Sequence, residues 1–418
     1  MFALSRRKFA SPSGGGAGGF GVHVRQATTS DLEQIVDLQV DRNGPECEPM
    51  IRALVASPEN GIGCFTVAVD GARVVSSLCL MREAFVLEGV RIPVGRPEFV
   101  ATHRDFEHQG LVRDQMDLVH GWSADRGDLV QVITGIPYFY RRFGYEYAIP
   151  MPRVRIVNPG VTVGTPDGWS VRHAALDDVD AIVATSSRAL ADVPLVAVRS
   201  PEWWRWWVSN DTGGGWYLAV RDGRVRGCAF VGDGPPGIDN HALCVAAIAA
   251  HEEDAVWALV ADAFARAGGK PVAVEERTGL ARVAAGISSR HSRQYAVYVR
   301  VADPVALLDH LRPVLTARLR RSHHASSSGT LLLSTYASSL TIHYANGEIS
   351  AIERGGPHKD PVGSGGIGVP PDLVATLLFG RYGATELAER HPDVRLGRRV
   401  DLAEILFPRV EADLVMSL

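Results

Sequence analysis

Two stretches of the chain share one pattern of apolar and polar positions. Residues 22–38 (VHVRQATTSDLEQIVDL) and 169–185 (WSVRHAALDDVDAIVAT) each predict a short strand, a polar turn and an amphipathic helix. Asp31 and Asp178 stand at matching places near the two helix starts, where a carboxylate meets free backbone N–H groups. The repetition predicts two units of one α/β type.

A second pair of matching stretches follows the first pair at similar spacing. Residues 64–80 (CFTVAVDGARVVSSLCL) and 215–231 (GWYLAVRDGRVRGCAFV) both alternate around a D-G turn, which predicts a β-hairpin in each. The two units therefore extend over about 22–155 and 166–303. The segment between them, NPGVTVGTPDG at 158–168, is rich in turn residues and marks the boundary.

The pattern changes beyond residue 303. Residues 304–319 have helical periodicity, an alternating run with an N-G turn follows, and DLVATLLFG predicts a helix that ends at Gly380. Residues 304–418 should therefore form a separate α+β unit. Glycine- and serine-rich residues 1–21 predict a flexible tail. The predicted class is α/β (α+β), with mixed central sheets.

Composition narrows the classes of function. The 43 Lys and Arg against 47 Asp and Glu give a net charge of −4, which argues against nucleic-acid binding. No apolar run reaches the roughly 18 residues that a membrane span needs. The five cysteines lack C-x-x-C spacing, so we expect reduced thiols in the cytoplasm. We predict no metal site, and expect His323 and His324, in a serine-rich loop, to face water.

The clearest chemical signal is EFVATHRDFEHQGLVRDQMDL, residues 98–118. An extended run leads through a polar turn to Gly110, where a helix begins. Backbone N–H groups and the helix dipole make such a helix start a natural anion site. Gly110 has no Cβ, so a phosphate can approach the backbone closely. An ordinary strand-to-helix turn has the same pattern, and this segment alone does not separate the two.

A second segment, QVITGIPYFYRRFGYEYAI at 131–149, joins a strand, an aromatic and basic cluster and a further strand. Together the two segments resemble the GNAT acyltransferase superfamily (Gcn5-related N-acetyltransferases). The three-part order is similar to the Eis group (enhanced intracellular survival acetyltransferases). That resemblance implies a catalytic GNAT domain at 22–155, a degenerate GNAT domain at 166–303 and a sterol-carrier-like domain at 304–418.

The resemblance also implies which residues bind the donor, acetyl-CoA. Backbone groups of the fourth strand would contact the acetyl and pantetheine parts, and the glycine loop would hold the pyrophosphate. The implied contacts are Val100, Ala101, Thr102, His108, Gln109, Gly110, Leu111, Val112, Arg113, Gly135 and Ile136. Glu107 departs from the Arg or Gln that the family usually has there. A carboxylate aimed at pyrophosphate would repel it, whereas one that points to solvent would not.

The chemistry of acetyl transfer suits these residue types. An amine attacks the thioester while backbone N–H groups polarise its carbonyl. The leaving thiolate, with a pKa of about 8.5 by analogy with cysteine, needs a proton that a tyrosine of pKa about 10 can donate. The resemblance assigns this role to Tyr140, for which a packed aromatic is the alternative. It also implies that the terminal carboxylate of Leu418 acts as base, for which a frayed terminus is the alternative.

The second copy lacks the signal of the first. The matching region, ALCVAAIAAHEEDAVWALVADAF at 242–264, has no glycine between strand and helix. It carries His251, Glu252, Glu253 and Asp254 where phosphates would lie, and this negative charge disfavours a phosphate. We expect the second unit to have lost coenzyme binding.

Two further clusters leave alternatives open. At helical spacing Trp203, Trp206 and Trp207 share a face, which fits core packing or cation–π binding of an amine. Four acidic residues after the first helix could attract a cationic amine or lie in a solvated loop. They are Asp37, Asp41, Glu46 and Glu48.

These features predict an acetyl-CoA-dependent N-acetyltransferase. The acceptor would be a primary amine of a small molecule, aminoglycoside-like or peptide-like. Direct attack is favoured over an acyl-enzyme, because no Cys or Ser stands in a recognisable nucleophile motif. The alternative is a non-catalytic acyl-CoA or lipid-binding protein with the same fold. The sequence leaves a homo-oligomer open.

Overall fold

The computed structural model describes residues 21–158, 160–209, 214–233, 242–277, 286–288, 290–292 and 295–414. These residues form mixed sheets of nine, seven and five strands with helices packed on them. The predicted fold class is confirmed. No helix in these ranges has the length and apolar character needed to cross a membrane. The predicted tail lies outside the described residues except for Gly21.

The first unit is a mostly antiparallel sheet with one parallel pair of strands. Its elements are β1 (His23–Gln26), α1 (Leu32–Asn43), α2 (Cys47–Ala56), β2 (Phe65–Asp70), β3 (Arg73–Leu87), β4 (Val90–Thr102), α3 (Leu111–Asp125), β5 (Val130–Ile133) and β6 (Glu146–Pro150). Strands β1 to β4 pair antiparallel in order, and α3 carries the chain to β5, which lies parallel to β4. The predicted D-G hairpin closes with Asp70 opposite Arg73.

The second unit repeats this order. Its elements are β7 (Arg153–Ile156), β8 (Trp169–His173), α4 (Val179–Ala189), β9 (Leu195–Ala197), α5 (Pro201–Ser209), β10 (Gly214–Arg221), β11 (Arg224–Asp233), β12 (Leu243–Ala250), α6 (Glu253–Arg266), β13 (Val272–Glu276), β14 (Arg290–His291) and β15 (Ala296–Arg300). Strands β12 and β13 form the parallel pair and α6 joins them. The second predicted hairpin closes with Arg221 opposite Arg224.

The two units exchange strands. β15, from the predicted range 166–303, lies between β5 and β6 in the first sheet, whereas β7, most of which falls in the predicted range 22–155, pairs with β13 and β14 in the second. Val297 and Val299 of β15 are buried in the core that the first and third units share. The predicted ranges 22–155 and 166–303 are continuous in sequence, whereas each sheet takes a strand from the other range. The sequence could not show this, because the periodicity of a strand does not indicate which sheet the strand joins.

The third unit has a smaller sheet with the strand order β18-β17-β16-β19-β20. Its elements are α7 (Pro304–His310), α8 (Arg312–Arg320), β16 (Ser328–Ser334), β17 (Ser339–Ala345), β18 (Glu348–Gly355), β19 (Ile367–Gly368), α9 (Val374–Phe379), α10 (Ala384–Arg390), β20 (Arg395–Leu396), α11 (Val400–Leu406) and β21 (Ala412–Asp413). Helix α9 ends before Gly380, as predicted. Apolar side chains of this unit, such as Leu315 and Leu333, share one core with Phe85 and Val132 of the first unit. β21 pairs with β9 at the edge of the first sheet.

Candidate active site

Strands β4 and β5 separate after a short parallel pairing. Their last paired residues are Gly95 and Gln131, so residues 96–102 of β4 have no strand partner on that side within the described chain. Glu98 spans the start of the opening, where its carboxylate accepts a hydrogen bond from Thr134 Oγ1 at 3.0 Å. A cleft of about 480 Å³ lies at this divide and continues to the start of α3. Backbone groups of β4 past Gly95 can therefore bond a molecule in the cleft.

A bulge in β4 turns the backbone at the cleft. Phe99 and Val100 lie opposite one residue of β3, and Phe99 has φ of 52°. The buried side chain of Gln39 on α1 fixes the bulge, because its amide donates to Phe99 O and to Ser77 Oγ, the latter at 2.9 Å. Sequence reasoning missed Gln39. Its signal was a polar residue four places after buried Ile35, on the apolar face of α1.

Most of the predicted donor contacts lie together in this cleft. The predicted residues that line it are Val100, Ala101, Thr102, His108, Gly110, Leu111, Val112, Arg113, Ile136 and Tyr140. Arg42 and Arg142 also line it, and Arg142 adds positive charge beside Arg113. The cleft thus joins an open strand edge, a helix start and a phenol.

Gly110 caps the start of α3 without a side chain. Its φ is 85°, in the left-handed region that glycine adopts at little cost, and a Cβ placed there would meet nothing within 4 Å. The first N–H groups of α3 have no intrahelical acceptors, and the dipole of this 15-residue helix adds positive potential. The start of α3 therefore has the chemistry that a pyrophosphate needs.

Arg42 neutralises the unusual Glu107. Its Nη2 lies 2.5 Å from Glu107 Oε1, and both side chains are partly exposed beside the cleft. The pair explains how a carboxylate can stand in an anion-binding loop, since Arg42 supplies a compensating charge. Sequence reasoning found Glu107 but missed Arg42, which lies 65 residues away.

Two predicted contacts lie outside the cleft lining. The exposed side chain of Gln109 donates to Asp105 O at 3.2 Å. The N–H of Gly135 donates to the hydroxyl of Tyr295 at 3.0 Å, and that hydroxyl in turn donates to Gly135 O at 2.5 Å. The backbone of Gly135 is thus already bonded, and a role for either residue in donor binding stays a prediction.

Tyr140 is 4% exposed and lies at the inner wall of the cleft. Its ring packs edge-on against Phe139, Tyr145 and Tyr298. The ring is therefore packed, as the alternative expects, and it also lines the cleft, while the proton-donor role stays a prediction. Its hydroxyl has no protein partner among the described residues. Burial, with a smaller contribution from Glu98, raises the pKa of Tyr140 above its usual value, so the phenol keeps its proton at neutral pH.

Two tyrosines from the end of the second unit complete this wall. Tyr298 of β15 is fully buried against Tyr140, and its hydroxyl accepts from Tyr138 N at 2.6 Å. Tyr295 holds Gly135 as described above. Sequence reasoning missed both tyrosines, because the strand exchange that brings them here has no local signal. The predicted base, Leu418, lies outside the described residues, and the last described residue, Leu414, is buried.

The second copy also has the bulge, but a side chain of the protein bonds its backbone. Ala247 of β12 has φ of 50°, nearly the value of Phe99 in β4. Its N–H donates to the carboxylate of Glu275 at 2.8 Å. Arg277 bonds Glu275 at 3.2 Å and also pairs with buried Asp413 near the C-terminus. The carboxylate of Glu275 therefore bonds the N–H at the bulge of the second copy, whereas the matching N–H of the first copy is open.

The helix start of the second copy is also unsuited to phosphate. Glu253 and Asp254 lie exposed in the first turn of α6, and Glu252 precedes them 3.6 Å from Arg221. The positive end of the α6 dipole therefore faces these three carboxylates of the chain itself. Half-buried His251 lies beside them. These contacts support the expected loss of coenzyme binding in the second unit.

The tryptophans pack in the core. Trp203, Trp206 and Trp207 are 5–8% exposed, and Trp206 Nε1 donates to Ala53 O of the first unit at 2.6 Å. Trp203 already stacks on a cation of the chain, the guanidinium of Arg199, 4.7 Å from the ring centre. The packing alternative is confirmed.

The four acidic residues near the first helix lie in solvent and do not line the cleft. Asp37 and Asp41 are on the exposed face of α1, and Glu48 pairs with Arg52 at 2.9 Å. Glu46 folds its carboxylate back towards Gly44. They are solvated, as the second alternative expects, but only Glu46 lies in the loop, because Asp37 and Asp41 belong to α1 and Glu48 to α2.

Comparison with known proteins identifies one domain within the chain. Residues 23–148 match the family model of the acetyltransferase (GNAT) domain. These residues have the GNAT acetyltransferase fold. The match covers β1 to β6, up to Ala148, and includes the whole cleft lining. A search of curated proteins finds no match.

Solved structures share the fold over almost the whole chain. A probable N-acyltransferase from Enterococcus faecalis and a GCN5-related N-acetyltransferase from Anabaena variabilis each superpose with a TM-score of 0.70 at 12% identity. Eis1 from Mycobacterium abscessus superposes with a TM-score of 0.60 at 15% identity. Each match covers 95% of this chain and 100% of the other. At these low sequence identities the similarity establishes a shared fold and nothing further.

A valine at Gly110 tests the anion site. Gly110→Val would bring a β-branched side chain to φ of 85° and into the cleft, so we expect the Kd of coenzyme A to rise at least tenfold. Calorimetry measures it. Gly127→Val is the matched control, because Gly127 has φ of 81°, stands at the other end of α3 and also has open space around it. Equal affinity in the two variants would mean that coenzyme A does not bind at Gly110.

Proposed function

We propose that the protein transfers an acetyl group from acetyl-CoA to a primary amine of a small molecule, aminoglycoside-like or peptide-like. The observation that carries this proposal is one cleft that joins three features. They are an open, bulged strand edge, a glycine-capped helix start and a buried tyrosine hydroxyl without a protein partner. Each feature suits a different part of an acyl-CoA: the thioester, the pyrophosphate and the leaving sulfur.

In the proposed reaction the amine nitrogen attacks the thioester carbon directly. N–H groups on the open edge of β4 stabilise the negative charge that develops on the carbonyl oxygen. As the C–S bond breaks, Tyr140 donates its proton to the leaving sulfur, and the amine loses a proton to a base. The products are the amide and the free thiol, and the phenol regains its proton from solvent.

The release of free thiol tests the proposal. We expect thiol to form when the protein is mixed with acetyl-CoA and a panel of primary amines, and to form more slowly without an amine. The alternative, a non-catalytic acyl-CoA or lipid-binding protein, predicts binding of acetyl-CoA with no thiol released above the background for any amine. A matched panel with longer acyl donors would reveal the preferred chain length.

We further propose that the second unit, 166–303, serves as scaffold and that the third, 304–418, is sterol-carrier-like. The bond from Ala247 to Glu275 supports the first statement. The apolar face of the third unit packs into a core shared with the first unit, which favours a structural role over an open lipid tunnel. The five cysteines are buried and unpaired in the described chain, which supports a reducing compartment such as the cytoplasm.

The role of Leu418 as base leads to a further prediction. Because β21 and the bond between Asp413 and Arg277 hold the chain just before the terminus, the last residues start from a fixed point. Deletion of residues 416–418 should lower kcat at least tenfold and leave the affinity for coenzyme A unchanged. Steady-state kinetics and calorimetry measure the two effects. Unchanged kcat in the shortened chain would reject the role.

A further inference from the structure

Three side chains that can bind metal meet in the third unit, far from the cleft in the sequence. His323 and His324 follow α8, and Asp401 lies in the first turn of α11, 77 residues after His324. Nε2 of His324 is 2.8 Å from Asp401 Oδ2, and Nε2 of His323 is 3.5 Å from the same oxygen. The three atoms all lie within 4.8 Å of one another.

These separations are those of ligands around one small ion. With Zn–N and Zn–O bonds of about 2.0–2.1 Å and tetrahedral angles, neighbouring ligand atoms lie roughly 3.3 Å apart. The observed 2.8 and 3.5 Å lie on either side of that value. Both histidine nitrogens are therefore close to the separation from the Asp401 oxygen that one ion needs, and the exposed side chain of His323 can turn to complete the set.

The hydrogen bonds of Ser327 give an independent indication. Its hydroxyl donates to His324 O at 2.9 Å, which uses its single hydrogen. The contact of 3.2 Å between His324 Nδ1 and Ser327 Oγ is then made by an Nδ1–H donor. In the neutral imidazole Nε2 consequently carries a lone pair, and that lone pair faces the carboxylate oxygen of Asp401. Either a proton or a metal ion between these two acceptors satisfies both, and the Ser327 contact holds the ring in the orientation that metal-binding histidines adopt.

The surroundings leave room for an ion. The side chain of His323 is 70% exposed, so solvent reaches the site and water can fill a fourth position. The neighbouring arginines are engaged elsewhere: Arg320 pairs with Glu348, and Arg321 with Glu88 of the turn between β3 and β4. Their charges are partly offset and do not dominate the site.

We propose that His323, His324 and Asp401 bind a divalent transition-metal ion of the Zn²⁺ type. The ion clips the segment after α8 to the start of α11, and so closes a long loop of chain within the third unit. α8 also carries Arg318, which bonds Glu88 of the first unit at 2.6 Å. The clip thus lies beside a junction between two units. The proposal departs from the expectation that these histidines face water alone, because it takes Asp401 as their partner.

Calorimetry with zinc chloride tests the site on the full chain, free of a polyhistidine tag and treated with a chelator. We expect one Zn²⁺ per chain in the wild type, with the affinity lowered at least tenfold in His323→Gln, His324→Gln and Asp401→Asn. His343→Gln is the matched control, because His343 also pairs with a carboxylate of this unit, Glu353, at 3.2 Å. It should bind zinc as the wild type does.

The same variants give the results that would overturn the proposal. His323 is so exposed that its replacement should leave folding intact, which circular dichroism checks. No zinc uptake by the wild type, or equal uptake by the wild type and the His323 and His324 variants, would overturn the site. X-ray absorption at the zinc edge should report nitrogen and oxygen ligands, and sulfur ligands would also overturn it.

Discussion

Replacing Tyr140 by phenylalanine is expected to lower kcat of acyl transfer about 100-fold and to leave the affinity for coenzyme A unchanged. The phenol is the one group in the cleft wall that we expect to protonate the leaving sulfur. Because its hydroxyl bonds no protein group in the described chain, its removal should cost little stability. Steady-state kinetics and calorimetry separate the two effects.

The pH dependence sharpens this prediction. Burial raises the pKa of Tyr140, so the proton-donating form persists to higher pH than for a free tyrosine. The wild-type rate should therefore show no loss from phenol ionisation up to about pH 10, the pKa of an unperturbed tyrosine. An alkaline decline that sets in below that pH and disappears in Tyr140→Phe would contradict the raised pKa.

Tyr138→Phe provides the control. Tyr138 is 71% exposed and only two residues from Tyr140. The substitution therefore removes the same hydroxyl oxygen from the same segment, but from a side chain that faces solvent. We expect nearly wild-type kcat. If Tyr140→Phe also keeps wild-type turnover, Tyr140 takes no part in the proton transfer and serves as a packed aromatic.

A fragment of residues 22–155 is expected not to fold, although it contains the whole cleft lining. Without β15, β5 and β6 lose the strand that lies between them. Val297, Tyr298 and Val299 are each at most 1% exposed, and buried side chains of this size contribute about 1.5–3 kcal/mol each. Their sum is comparable with the whole stability of a typical domain, about 5–15 kcal/mol. Circular dichroism and urea unfolding of the fragment measure this.

A fragment of residues 22–303 is the control. It keeps both exchanged strands, β7 and β15, and lacks only the third unit. We expect it to retain more secondary structure and a more cooperative transition than the shorter fragment, although the core shared with the third unit is exposed. Cooperative unfolding of 22–155 alone would contradict the importance of the exchange.

Local patterns in the sequence predicted local structure well. The D-G hairpins and the helix stop at Gly380 agree with the structure because turn chemistry acts over a few residues. The glycine that caps α3 was found for the same reason, since a left-handed residue at a helix start favours glycine.

Contacts between distant segments could not be predicted in this way. The pairing of Arg42 with Glu107 and the bond from Tyr295 to Gly135 join residues 65 and 160 positions apart. The strand exchange had no signal either, because a strand with alternating side chains fits either of two similar sheets. Gln39 was closest to being predictable, as a polar residue on an apolar helix face.

Calorimetry of the full chain with coenzyme A tests the central claim most directly. We predict one coenzyme A per chain, bound in the cleft between β4, β5 and the start of α3. A second molecule should not bind, because in the second copy the matching backbone N–H, that of Ala247, already donates to Glu275. Affinity should fall in Gly110→Val and persist in Gly127→Val. Absence of binding, or two molecules per chain, would contradict the account.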